Sequence, residues 1–158
     1  MVKVTTTYGK VIEIDCIGCA FARGEIESTG GLLYNGTGFE ARCDLEIPVR
    51  GFFVIGSKRH IVGPAEFTGK EMEEFSKLLV KLRKAMQDIL GIKRVTYLCR
   101  ESTIDSSVNP SHFHLGLLPE YPWMKAKGTE EIFNYAKNLK NLNEVEEAAK
   151  EIKVYLNK

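Results

Sequence analysis

Three histidines and four cysteines occur among the 158 residues, and most of them fall at spacings that suit chemistry. His112 and His114 stand two apart in His-Phe-His-Leu-Gly-Leu-Leu, a run that predicts a strand over 112–118 ended by Pro119. Residues two apart on a strand share a face at a separation of about 7 Å. Both imidazoles would then project together while Phe113 and Leu115 turn toward a core. Cys16-Ile-Gly-Cys19 can grip one metal ion between two thiolates, with Gly18 supplying the turn. The sequence has no second Cys-x-x-Cys, so the remaining ligands of a tetrahedral site would be imidazoles, and Cys₂His₂ zinc is the economical solution. His60 and one of the strand pair could complete it. Two other readings stay open at this stage. One is a redox-active or unliganded Cys-x-x-Cys; the other is a catalytic zinc hydrolase in which His112 and His114 both join His60 and leave a position for water.

These residues need elements to hold them. Residues 2–14 and 31–42 read as short strands broken by Gly30, Gly31, Gly36 and Gly38, and Phe52-Phe53-Val54-Ile55 reads as a buried strand. Thr68 with Glu71 has the spacing of a capping box. After it Met72, Phe75, Leu78, Leu79, Leu82, Met86, Ile89 and Leu90 form one helical stripe, stopped by Gly91. A further strand is predicted over 94–100, a helix from Thr129, and another over 143–156. Strands around one long central helix argue for an α+β domain on an antiparallel sheet. Residues 1–124 are expected to form the main domain, and 125–158 a C-terminal helical extension packed on it.

Composition narrows the partners. Hydrophobic residues make up 44% and charged residues 27%, a globular balance with no apolar run of membrane-spanning length. Lys and Arg number 22 against 21 acids, so a nucleic-acid or anionic-membrane surface is not expected, whereas a small anion needs only a few local donors. The first residues lack the pattern of a signal peptide, and a cytoplasmic location is the expectation. Neither a G-x-G-x-x-G nor a G-x-x-x-x-G-K-[ST] loop occurs. Cys43 and Cys99 are expected to be buried thiols.

The stretch from Cys16 to Ile26, the strand Gly51 to His60, the long helix and His112-Phe-His-Leu-Gly-Leu-Leu-Pro119 together resemble the landmarks of the histidine triad (HIT) superfamily, in its order and near its spacings. The resemblance covers roughly residues 12–119. The family signature is His-φ-His-φ-His-φ-φ, with φ apolar, and Gly116 stands here at the third histidine position, offering a backbone group and space. The resemblance implies a HIT-like α+β fold and a nucleotide or nucleotide derivative as ligand. It also implies hydrolase or nucleotidyltransferase chemistry through a covalent nucleotidyl intermediate on His114. Similarity to zinc-containing members and to galactose-1-phosphate uridylyltransferases implies a structural Zn²⁺ on Cys16, Cys19, His60 and His112. It further implies phosphate contacts from Ser107 and Asn109, ribose contacts from Asp44, and homodimer formation. An imidazole of ordinary pKa, near 6.5, is largely neutral at pH 7 and needs no separate base to act as a nucleophile. The alternative is a catalytically impaired nucleotide-binding or interaction module that keeps the zinc fold.

Overall fold

The computed structural model describes residues 1–101 and 111–158. Its main sheet has five antiparallel strands in the order β3-β4-β5-β7-β6: β3 (Leu32–Asn35), β4 (Phe39–Cys43), β5 (Phe53–Ser57), β6 (Val95–Leu98) and β7 (His114–Pro119). β1 (Val2–Thr5) and β2 (Val11–Ile14) form a separate antiparallel hairpin. The helices are α1 (Ile17–Ala22), α2 (Gly69–Asp88), α3 (Thr129–Ala136) and α4 (Leu142–Leu156). The α+β architecture expected from the sequence is the one observed.

Alternation along the strands divides the sheet into two faces. Phe39, Ala41 and Cys43 of β4, Phe53 and Ile55 of β5, and Leu115 and Leu117 of β7 point to the back, where they meet α2 and α4 in the principal core. Phe52 and Leu118 point to the front, where Met124, Ile132 and Ala136 cover them in a second cluster. The C-terminal segment therefore contributes to both layers: α4 lies behind the sheet beside α2, and α3 lies in front. Asn157 Nδ2 donates to the Leu33 carbonyl, which ties the end of α4 to the edge strand β3.

α2 starts at the expected capping box. Thr68 accepts from the Glu71 amide, and the Glu71 carboxylate accepts from the Thr68 amide. It ends where Gly91 takes a left-handed φ of 68° and the Ile92 amide returns to the Met86 carbonyl. Leu78, Leu82, Ala85 and Met86 form the buried stripe. Met72 and Ile89, expected in it, are exposed: Met72 lies at the stripe's edge in the first turn, and Ile89 is already the C-cap.

The strand predicted over 112–118 begins two residues later. His112 and Phe113 precede β7 because the Phe113 amide is drawn to the Ile61 carbonyl and its own carbonyl accepts from the Ser57 amide. The alternation of sides continues through this segment, so Phe113 still enters the core.

Candidate metal centre and the histidine beside it

The metal-ligating cluster grows from three places in the chain. α1 supplies Cys16 at its N-cap and Cys19 one turn on; the Cys16 sulfur accepts the Cys19 amide at 3.4 Å. The turn after β5 supplies His60, and the segment entering β7 supplies His112. The four donor atoms lie within 4.8 Å of one another. Cys16 Sγ is 3.5 Å from His60 Nδ1 and 3.3 Å from His112 Nδ1. Cys19 Sγ is 3.2 and 3.6 Å from the same two nitrogens. Zn–S and Zn–N bonds of ordinary length at tetrahedral angles give an S···N edge of about 3.6 Å, so the four groups already stand near the corners of a zinc tetrahedron. The donor set, two soft thiols and two imidazoles, suits Zn²⁺. With four protein ligands the shell is complete, which defines a structural site.

His112 is oriented by its other nitrogen. Nε2 lies 2.7 Å from the Ser57 carbonyl oxygen. A carbonyl only accepts, so Nε2 carries the hydrogen and the Nδ1 lone pair faces the sulfurs, as a ligand requires. Burial lowers the His112 pKa, which favours the neutral ring. Burial also raises the Cys19 thiol pKa, with the Cys16 sulfur adding to the effect; a metal would have to displace that proton.

Gly18 is needed for a steric reason. A Cβ built there would overlap the His112 ring, so the knuckle can close over the ring only if position 18 has no side chain. It is absent from the left-handed glycines, which corrects the expectation that it serves the turn conformation. No sequence pattern announces this contact, because Gly18 and His112 are far apart in the chain.

His114 stands outside the cluster. It is exposed, and its Nδ1 lies 2.9 Å from the His112 carbonyl oxygen. The same logic puts the hydrogen on Nδ1 and leaves the Nε2 lone pair available. Two residues apart, the histidines thus present opposite nitrogens, Nδ1 to the thiols at His112 and Nε2 away from the cluster at His114. The arrangement with both rings on the metal is not the one formed.

Around His114 the front face departs from a plain polar pocket. Cross-strand pairing sets Glu40, Gly56 and His114 in one row and Arg42, Val54 and Gly116 in the next. Glu40 and Arg42 are buried as an ion pair, Nε to Oε1 3.3 Å, and the Arg42 guanidinium lies 3.7 Å over the Phe21 ring of α1. Desolvation raises the Glu40 pKa and lowers that of Arg42. Sequence reasoning missed this pair, since charged residues alternating on a strand ordinarily face water.

Gly116 does not leave an open space. A Cβ there would come 3.0 Å from Phe52, whose ring stacks on Phe133 of α3 at 5.8 Å. Phe52 and the Leu98 Cβ crowd the place where a side chain at 116 would begin, which corrects the expectation of free space.

Of the remaining expected site residues, Ser107 and Asn109 lie outside the described residues. Asp44 follows β4 on the front face, and its Oδ1 accepts the amides of Glu46 and Ile47 at 2.9 and 2.8 Å. Four residues beyond Glu40, it is about 13 Å along the strand direction from the His114 row. Cys43 is buried and its thiol is pushed up to about 12 by desolvation. Cys99, expected to be buried, is exposed one residue past β6, and partial burial with nearby Glu101 still raises its pKa. Among the described residues no helix is long and apolar enough to cross a membrane.

No protein-family model matches the sequence, and no curated protein does. Solved structures do match. A Zn-bound histidine triad family protein from Mycobacterium smegmatis superposes with a TM-score of 0.61 at 15% identity, over 90% of this chain and 93% of that one. A HIT-like protein involved in cell-cycle regulation from Bartonella henselae gives 0.66 at 17% identity, over 92% and 99%. A hypothetical histidine triad nucleotide-binding protein from Sulfolobus tokodaii gives 0.62 at 18% identity, over 90% and 92%. The chain therefore has the histidine triad fold. On that fold it carries a Cys₂His₂ centre built for zinc, with one histidine left free beside it.

Proposed function

We propose that the protein is a HIT-like nucleotide hydrolase or nucleotidyltransferase that works at the α-phosphate through a covalent intermediate on His114. The observation that carries this reading is the 2.9 Å contact between His114 Nδ1 and the His112 carbonyl oxygen. Its Nδ1 hydrogen is committed to the His112 carbonyl, so Nε2 presents a lone pair from the exposed side of the ring.

In the first step Nε2 forms a bond to the α-phosphorus as the bond from phosphorus to the leaving oxygen breaks. In the second, water or another acceptor hydroxyl attacks the same phosphorus, the N–P bond breaks, and the imidazole is regenerated as the acceptor's proton is released. Bound zinc supplies architecture: it ties α1, the turn after β5 and the entry to β7 together. The chain's own residues do the rest. The His112 carbonyl holds the nucleophile's ring, and the β5–β7 pairing holds its backbone. Ser107 and Asn109 are the proposed phosphate donors. Asp44 is the proposed ribose acceptor through Oδ2, which accepts no hydrogen bond among the described residues. The Sulfolobus relative's description as nucleotide-binding supports the ligand class.

The test is to incubate the zinc-loaded protein with a nucleotide labelled at the α-phosphate and quench rapidly. Acid-labile, base-stable label on wild type, absent from His114→Ala, is the expected result. Turnover that persists in His114→Ala would overturn the reading. One observation favours a second reading, a nucleotide-binding module of weak or no turnover: Phe52 fills the place of the third histidine. Saturable nucleotide binding without trapped label or product would select it.

A further inference from the structure

Where α2 and β7 both end, the chain leaves a groove of about 720 Å³, within the range of small-ligand sites. Its floor is apolar, formed by Leu90, Ile92, Leu118, Met124 and Ile132. Its rim is cationic. Arg50, Lys93, Arg94 and Lys125 all line it, and none of these side chains forms an ion pair or hydrogen bond among the described residues. A fifth cation, Lys127, is already paired with Glu131. Glu120, the one carboxylate lining the groove among the described residues, takes the Thr96 hydroxyl at 3.3 Å. In a chain of net charge +1 this is a local concentration that composition does not reveal. Concave walls over an apolar floor strengthen such a field.

We propose that this groove binds a phosphate monoester carried on an apolar body, of the alkyl phosphate kind. Even with the Glu120 carboxylate counted against them, the four cations leave an excess that a monoanion matches poorly. A phosphate monoester brings a charge of about −1.5 to −2 near neutral pH and three acceptor oxygens. Two of the rim cations are arginines, whose forked donors suit such oxygens. The apolar floor needs a partner that a bare anion lacks. A nucleic acid would need a basic stripe along the surface, and the cations here converge on one concavity instead. The groove touches Leu118 and Pro119 while His114 opens the same strand, so the two sites lie about 13 to 17 Å apart along β7. The site does not depend on the proposed chemistry at His114.

The experiment titrates decyl phosphate, decanoate, decanol and inorganic phosphate into the zinc-loaded full-length protein, below the micellar range. Calorimetry gives affinities and amide chemical shifts give location. Decyl phosphate should bind one to one, at least tenfold tighter than any of the other three. Its shifts should centre on Lys93, Arg94, Thr96 and Lys125. Arg94→Glu and Lys125→Glu, both at exposed positions, should each weaken it by about tenfold with unchanged melting temperature. Equal binding of decanoate, decanol or inorganic phosphate would overturn the proposal. So would charge reversals without effect, or shifts centred on His114. If decyl phosphate instead splits a dimer in light scattering, the groove is an interface between copies and the proposal fails.

Discussion

The Nδ1 of His114 lies 2.9 Å from the carbonyl oxygen of His112, so the backbone of the metal-binding residue sets the tautomer of the free one. Ser57 does the same for the His112 ring through the opposite nitrogen, 2.7 Å from its carbonyl oxygen. Two backbone acceptors thereby hold two chemically identical side chains in opposite tautomers.

Substitution should separate the two histidines. His112→Ala removes a ligand and should weaken zinc binding by more than roughly 100-fold, beyond what loss of a group that merely orients a ligand costs. His114→Ala should keep stoichiometric zinc and a wild-type melting temperature while losing on the order of 10³ or more in turnover, as removal of a covalent nucleophile does. Metal analysis and melting curves on both variants check the division. Loss of zinc from His114→Ala would contradict it.

Gly18 should be nearly intolerant of substitution. Gly18→Ala drives a methyl group into the His112 ring and should cost about 1–3 kcal/mol, the range for overpacking. The cost should be larger with zinc than with a chelator, because the metal holds the ring in place. Denaturant unfolding in both conditions measures the difference.

Restoring a histidine at position 116 should not restore a complete triad. Gly116→His forces its side chain against Phe52 and should destabilise the fold by roughly 1–3 kcal/mol. Adding Phe52→Ala opens the space but unstacks Phe133, so the double variant should be less stable than wild type while accepting the new ring. Unfolding free energies of the three variants should therefore be non-additive.

Acid should act through Glu71. Two hydrogen bonds from Arg59, then the Thr68 amide, hold its carboxyl at about 2, below the usual 4.5. Because the folded-state value is depressed, the stabilisation is complete above about pH 4.5 and disappears as pH falls toward 2. Glu71→Gln should melt roughly a few degrees below wild type from pH 5 to 8, with the gap closing under acid and shrinking in high salt. Thermal melts across pH test it; a gap that widened in acid would be the wrong sign.

Much of this protein can be read from residue order, where the signal is local. The capping box at Thr68 and Glu71, the stripe from Leu78 to Met86 and the stop at Gly91 each depend on neighbours within a turn of helix, so α2 is legible. Cys16, Cys19 and the three histidines are legible as a group because their residue types are scarce and chemically specific. Tertiary structure decided what separates partners far apart in the chain. Whether His112 or His114 joins His60 depends on which carbonyl each ring meets, and His112 meets that of Ser57, 55 positions away, only in the folded chain. Gly18 answers to a ring 94 positions away, and Gly116 to Phe52, itself backed by Phe133. The Glu40–Arg42 pair is covered where Phe21 of α1 lies over the Arg42 guanidinium, a contact that no alternation pattern within β4 encodes. Sequence supplies the donors; packing over long separations aims them, because a side chain's direction is fixed only when its surroundings are complete.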